Sequence, residues 1–397
     1  MVSNETASMI ATPDEIAASM TGVLSTRAGG GVEAYLPSQS AQNHAAFLHT
    51  LGDGRLVCAW FGGTLEGMSD ISIHLATLAP DNTAWLPSTR ILGAPDRSEQ
   101  NPVLFQDVNG AVHLFHTSQP SGNQDESRVM TRPVTFIGDG VDCGPLRDTG
   151  LPSGAFVRAP LTVRDDGAWV LPLHLCNAQP GRRWTGAHDT AAVAVSTDRG
   201  ARWNVTEVPN STGSVHMTLV DMGNGRLTAF YRRRQADFVH RSESLNGGRS
   251  WSKPVPTDLP NNNSSISAIR LSDGRIALLC NPVSAAMSSE RRQSLYDELG
   301  ESDAQPDAAG GCVPIWGVPR APLSLCVSSD GGHTFSQRRV VDAGPGTCLS
   351  NNSLDGRNAE LSYPFLCQGT EGILHLAYTY HRRAIKYVRL DPDWLDS

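Results

Sequence analysis

Six apolar runs in this 397-residue chain are each entered through polar or titratable residues: Asn43-His44, Gln100-Asn101, Arg158, His216, Ser264-Ser265 and Ser362-Tyr363. An imidazole titrates near neutrality, so His44 and His216 can take or give a proton at physiological pH. A guanidinium binds a carboxylate through a planar fork of donors. Arg158 stands at one entrance. Phe230-Tyr-Arg232-Arg-Arg234 and Tyr380-His-Arg382-Arg383 follow the second strand of two of these units, and Arg320 lies in a loop stiffened by Pro319 and Pro322. Strand alternation puts Arg232 and Arg234 on one face and Arg233 on the other. Two of Arg158, Arg232, Arg234 and Arg320 are expected to grip an acid. Each residue also has a plainer reading: a hydrogen-bonded structural histidine, a packed tyrosine, a solvated arginine.

The elements that must position these residues are hairpins. Asn43 to Phe61 reads as strand, tight Asp53-Gly54 turn, strand, and Asp-Gly or Asn-Gly between apolar runs is a strong hairpin signal. The pattern returns at Asn109-Gly110, Asp166-Gly167, Asn224-Gly225, Asp273-Gly274 and Glu371-Gly372. The first four turns recur at roughly 57 residues, a little above the blade periods of propellers. The first hairpin holds one extra residue before its turn, which would move His44 one position out of register.

A second signal interleaves with the first. Ser196-Thr-Asp198-Arg-Gly200-Ala-Arg-Trp203, Ser244-Leu-Asn246-Gly-Gly248-Arg-Ser250-Trp251 and Ser328-Ser-Asp330-Gly-Gly332-His-Thr334-Phe335 share one form, with a worn copy at Thr77 to Trp85. In each, the Ser and Asp or Asn side chains would bond nearby backbone, the glycine would turn left-handed, and the aromatic would plug the gap beside the turn. This element resembles the Asp box, or BNR repeat, of sialidases and their relatives. The resemblance runs from about Gln42 to Tyr387 and implies an all-β fold: a β-propeller of four-stranded blades, six by the hairpin count. The long gap before the sixth hairpin leaves room for a seventh blade around Ser288 to Val327. The expected division is an N-terminal extension over 1–40 and one propeller domain over 41–397, interrupted at about 283–317 by a polar insertion. That insertion is read as a wall over the pocket mouth with a short helix around Ser288 to Leu299.

The resemblance also assigns roles. A propeller lines its central channel with the first strand of each blade, which is where the six polar entrances fall. Sialidases carry an Arg in a Phe-Arg-Ile-Pro motif at the first entrance, where this chain has Asn-His-Ala-Ala. A His in place of a carboxylate-clamping Arg suits a different reaction on an acidic sugar. With the carboxylate of a uronate neutralised by Arg, His44 can remove the proton at C5, and the C4–oxygen bond then breaks by β-elimination. Tyr363, in Ser-Tyr-Pro-Phe-Leu, falls where sialidases place their nucleophile; in a lyase it would protonate the leaving oxygen or hold the sugar, and Glu360 is its nearest carboxylate. In the Gly62-Gly-Thr-Leu-Glu66-Gly-Met-Ser-Asp70 loop, Glu66 and Asp70 are candidates for gripping substrate hydroxyls, and His216 for a second acid/base group. The chain looks most like lyases that release a terminal rhamnose from glucuronate. Its rivals are an exo-sialidase using Tyr363, Asp70 and the arginines, and a glycan-binding propeller without catalysis.

Composition narrows the partners. The 38 Gly and 25 Pro suit many short strands joined by turns. A formal net charge of −8 argues against nucleic acid or an anionic membrane surface, so the expected partner is an acidic oligosaccharide or polysaccharide and the expected state a monomer. Residues 1–40 carry no apolar stretch of signal-peptide length, so a soluble protein is expected, either cytosolic or relieved of a leader. Thr12 is placed to cap a short helix through Met20, with Pro13 in its first turn. The eight Cys form no zinc pattern; Cys58, Cys280 and Cys367 read as buried thiols, and the spacing of Cys312, Cys326 and Cys348 leaves room for one disulfide. No cofactor is required, and a structural cation is compatible with the channel or a loop.

Overall fold

The six turn dipeptides all close hairpins, by two routes. At Gly54, Gly110, Gly167 and Gly274 the glycine alone has positive φ, and Leu51 N donates to Arg55 O while Gly54 N donates to Leu51 O, a type I turn finished by a left-handed glycine. At Asn224-Gly225 and Glu371-Gly372 both residues are left-handed, the requirement of a type I′ turn. The computed structural model describes residues 12–120, 122–292, 305–306, 310–350 and 358–396.

The hairpins grow into six antiparallel blades, three of four strands and three of five, each built on four main strands. Blade 1 runs Gln42–Thr50, Leu56–Gly63, Ser72–Leu78, Thr89–Ile91. Blade 2 runs Ser98–Gln106, Val112–Gln119, Arg128–Ile137, Gly140–Cys143. Blade 3 runs Ala155–Val157, Trp169–Leu175, Thr190–Ser196, Asn204–Glu207, and blade 4 runs Ser214–Gly223, Arg226–Arg233, Phe238–Ser244, Val255–Pro260. Blade 5 runs Ser267–Arg270, Ile276–Cys280, Leu323–Ser328, Gln337–Asp342. Blade 6 takes Leu361–Gln368, Leu374–Tyr380 and Ala384–Leu390 from the end of the chain, and its next strand, Val32–Tyr35, from the beginning. The inner strands of blades 6 and 1 then pack side by side, so the ring closes without a free edge between them.

That closure changes the expected division at residue 40. Part of the 1–40 segment belongs to the propeller: Val32–Tyr35 pairs along Ala384–Leu390, and the capped helix Pro13–Ser19 buries Ile16 in the core shared by blades 5 and 6. The capping box of Thr12 and Glu15 is present. The seventh blade does not form, because Leu323–Ser328 is the third strand of blade 5; residues 283–317 are an excursion between the second and third strands of that blade. The helix expected over Ser288 to Leu299 lies mostly outside the described residues, and 288–292 are not helical. Gln305–Pro306 pairs in parallel with Arg182–Arg183 of blade 3.

The Asp-box turns stand between the third and fourth strands of blades 3, 4 and 5. Gly200, Gly248 and Gly332 have φ of 78°, 85° and 85°, and each donates its N–H to the repeat's serine at 2.8 Å. In blade 5 a Cβ on Gly332 would lie 2.3 Å from the Phe230 ring, so the turn packs directly on blade 4. All eight cysteines are free, which removes the disulfide considered among Cys312, Cys326 and Cys348. Among the described residues no helix is long and apolar enough to cross a membrane.

Candidate active site

A recurrent irregularity aims the site residues. Where blades 1, 2, 4 and 6 enter the channel, the inner strand slips register against its neighbour, at His44/Phe47, Gln100/Val103, Val215/Thr218 and Ser362/Phe365. Two residues then oppose one, a β-bulge. The first bulged residue is left-handed in every case: Ala45, Asn101, His216 and Tyr363, with φ of 62°, 50°, 48° and 49°. Such a backbone is uncommon for an aromatic residue and concentrates at functional sites. His44 stands one position before the others. Blade 3 instead ends its inner strand at Val157, and Arg158 occupies the break.

Tyr363 is the centre of the resulting cluster. The His44 ring lies 4.2 Å from its ring, and the His216 ring 5.4 Å, centroid to centroid. The guanidinium carbons of Arg158, Arg232 and Arg320 lie 5.6, 5.7 and 5.9 Å from the Tyr363 centroid, within cation–π range. Arg232 Nη1 donates to the Tyr363 hydroxyl at 2.8 Å. The phenol oxygen therefore accepts from a cation, and its own proton remains available to a ligand.

The four candidate arginines separate by what they touch. Arg234 donates to Asp189 Oδ2 through Nε and Nη2 at 2.9 and 2.6 Å, and its guanidinium carbon lies 5.4 and 5.1 Å from the ring centroids of Trp184 and Trp316. It already holds a carboxylate of its own chain. Arg320 Nη1 donates to Glu360 Oε1 at 2.8 Å. Arg158 and Arg232 are 4% and 1% exposed and bond no carboxylate among the described residues. Arg158 Nη2 reaches across the channel to the carbonyls of Ala46, Tyr363 and Pro364 at 3.0, 2.9 and 3.2 Å; its Nε and Nη1 have no partner. Arg232 Nε donates to Asn263 at 2.8 Å, and its Nη2 has no partner. Burial pulls the pKa of each down to about 10, with Tyr363 opposing. Two buried guanidiniums without a counter-charge would be stabilised by an anion beside them.

The carboxylates divide similarly. Asp70 accepts from Thr64 N at 2.8 Å and from Thr64 Oγ1 at 2.9 Å, so each of its oxygens already bonds its own loop. Glu66 is buried and accepts from Arg382 Nη1. Arg382 also donates to Glu360 Oε1 at 3.0 Å, so one cation ties the blade 1 loop to blade 6. Its role was legible only as one of two arginines after Tyr380; Arg383 points to Thr347 O instead.

His44 is fully buried, with Nδ1 2.8 Å from Thr379 Oγ1. That oxygen already accepts from Ala45 N at 3.0 Å. When it also accepts from Nδ1–H, the lone pair on Nε2 is free, and Nε2 has no partner. Burial, then Arg382, with Arg320 and Arg158 adding to both, hold the imidazole well below its ordinary pKa against the pull of Glu360. His174, which the sequence reading passed over, lies in Trp169–Leu175 of blade 3 against His216. The one signal for it was a lone imidazole inside an apolar strand. Burial and the neighbouring arginines lower both of these histidines as well.

These three buried imidazoles contribute to a response to acid that they share with His49, His74, His240, His375 and His381, which burial also lowers. A folded pKa below the unfolded value near 6.5 means the unfolded chain binds protons that the native state refuses. Stability is full above about pH 6.5 and falls as pH drops below it, by at most about 4 kcal/mol per pH unit for three groups. Urea melts between neutrality and about pH 5 are expected to show this fall; a flat midpoint would contradict it.

His174, Cys176 and Asp189 place one ligand atom each within 4.8 Å of one another. The carboxylate of that set carries Arg234, and burial pushes the Cys176 thiol up. A guanidinium on the only acid opposes a cation there.

Comparison with known proteins places the fold. The chain matches the BNR repeat-like domain over residues 54–376. It belongs to that family. Among curated proteins no relative matches. Among solved structures, a Hadza microbial sialidase is 14% identical with a TM-score of 0.65, over 90% of this chain and 67% of that one. A protein of unknown function from Dyadobacter fermentans is 13% identical at 0.63, over 94% and 98%. The intramolecular trans-sialidase of Ruminococcus gnavus is 15% identical at 0.60, over 91% and 97%. At these identities the likeness is one of fold, and this BNR repeat-like propeller shares its architecture with sialidases.

Proposed function

We propose that this BNR repeat-like propeller is a glycan-processing enzyme that binds the carboxylate of an acidic sugar at Arg158 and Arg232 and cleaves the sugar by β-elimination. The observation that carries the reading is the surroundings of Tyr363: two uncompensated guanidiniums, a neutral imidazole 4.2 Å away, and a hydroxyl bonded to Arg232 rather than to a carboxylate. A uronate carboxylate on Arg158 and Arg232 is neutralised, which lowers the barrier to losing the C5 proton. The same anion offsets the positive field that adds to burial in holding His44 low, so the base strengthens as substrate binds. His44 Nε2 takes the C5 proton, that C–H pair becomes the C4–C5 double bond, the C4–oxygen bond breaks, and the Tyr363 hydroxyl protonates the departing oxygen. The balance closes with no cofactor or metal. The insertion, tied down where Ile315 N donates to Arg234 O and Cys312 N to Ala187 O, would confine action to chain ends, and a terminal rhamnose on glucuronate is the linkage to try first.

The comparisons favour a second reading, an exo-sialidase with Tyr363 as nucleophile, because the named relatives of this fold are largely sialidases and trans-sialidases. Against it, no carboxylate bonds the Tyr363 hydroxyl among the described residues; Glu360 is held by Arg320 and Arg382.

Incubation with a rhamnosyl-glucuronate glycan tests both. Elimination is expected to release rhamnose with a rise in ultraviolet absorbance from the conjugated 4,5-unsaturated uronate. Rhamnose with a flat trace means hydrolysis, and free sialate from sialyl-lactose would establish the sialidase instead.

A further inference from the structure

Beside the anion site lies a second group of polar atoms that the proposed chemistry does not use. His174, on the second strand of blade 3, packs against Phe156 at 5.0 Å and against His216 of blade 4 at 5.1 Å, centroid to centroid. Phe156 and His216 stack at 6.1 Å with their planes 11° apart. His174 and His216 are 1% and 4% exposed. Yet both ring nitrogens of His174, and Nδ1 of His216, have no hydrogen-bond partner. Buried polar groups are almost always paired, so three orphaned nitrogens in one place point to a ligand. Trp184 and Trp316 cluster with Phe156 next to them, and the Arg234 guanidinium lies over both indoles.

The ligand class follows from what the nitrogens offer. A neutral imidazole presents one donor and one acceptor, and a hydroxyl answers both. Burial, with Arg232 and Arg234 adding, keeps both rings neutral, so they add no charge for a second acid. Aromatic walls around a few convergent polar atoms are the make-up of a small-molecule site. We propose that His174 and His216 form a subsite for the hydroxyls of a neutral sugar residue joined to the acidic residue held by Arg158 and Arg232. It rests on the carboxylate reading of those two arginines.

Calorimetric titration with glucuronate and with rhamnosyl-glucuronate disaccharide tests it, in a His44→Ala background so that the disaccharide is not consumed. His174→Phe keeps the ring against Phe156 and removes both nitrogens. It is expected to weaken disaccharide binding about tenfold and to leave glucuronate binding within about twofold, while His174→Gln, which keeps a donor and an acceptor, retains most of the disaccharide affinity. Equal effects on both ligands, or no effect on either, would overturn the subsite and leave the carboxylate reading standing. Failure of the parent protein to bind glucuronate would bring down the carboxylate reading and the subsite with it. If His174→Phe does not fold, His216→Gly, which tolerates the left-handed backbone, carries the same comparison.

Discussion

Replacing Glu360 with alanine is expected to destabilise the protein by about 3–5 kcal/mol, the usual result of removing one side of a buried ion network. Glu360 is 1% exposed. It accepts from Arg320 at 2.8 Å, from Arg382 at 3.0 Å and from the Ser362 hydroxyl. Burial alone would push its carboxyl up, but Arg320 and Arg382, with the Ser362 hydroxyl adding, hold it well below the ordinary range. Without it, Arg320 has no acid among the described residues and Arg382 keeps only Glu66. Glu360→Gln conserves volume and removes the charge, so it separates electrostatics from packing and is expected to recover only a minor part of the loss. Because the folded pKa is depressed, the carboxylate stabilises above about pH 4.5, and its contribution fades as pH falls below that. Thermal melts of wild type and both variants at neutral pH and near pH 4 measure this. A shift under about 1 kcal/mol for the alanine variant would show that the two arginines find other partners.

His44→Ala is expected to lower kcat/KM on the uronate substrate by about a hundredfold to ten-thousandfold, the range of a lost general base. Binding should survive, because the carboxylate is gripped by Arg158 and Arg232 and neither bonds His44. The loss therefore belongs in kcat, with KM changed little. Thr379→Val adds a graded control. It removes the hydroxyl 2.8 Å from Nδ1 and frees the ring to take the other tautomer, so kcat should fall less than for alanine while the imidazole remains. Initial rates from unsaturated-product absorbance read both variants. Activity of His44→Ala within tenfold of wild type would remove the imidazole from the mechanism.

How much of the site was legible depended on the reach of each contact. His44, Tyr363, Arg158 and Arg232 could be named from the sequence because their positions follow from hairpin spacing, and the structure brings them together around the Tyr363 ring. That Asp70 bonds Thr64 through both oxygens is a loop detail that residue types do not announce. That Arg234 already holds an acid was hidden for the opposite reason: Asp189 lies 45 positions away and meets it only when blades 3 and 4 pack. His174 drew no notice in the sequence because an imidazole in an apolar strand reads as core until the neighbouring blade sets a second imidazole against it.

By itself, the amino-acid order determined the blade hairpins, the Asp-box turns and the polar ring at the channel entrances, because Asp-Gly and Asn-Gly dipeptides and Ser-to-backbone bonds act within a few residues. Only the tertiary structure decided that Val32–Tyr35 closes the ring, that the inner strands bulge with Tyr363 left-handed, and that Arg158 and Arg232 are the cations left without an acid. Those outcomes depend on pairing and charge compensation between residues far apart in the chain, and a side chain's charge is spent or free only once its neighbours are in place.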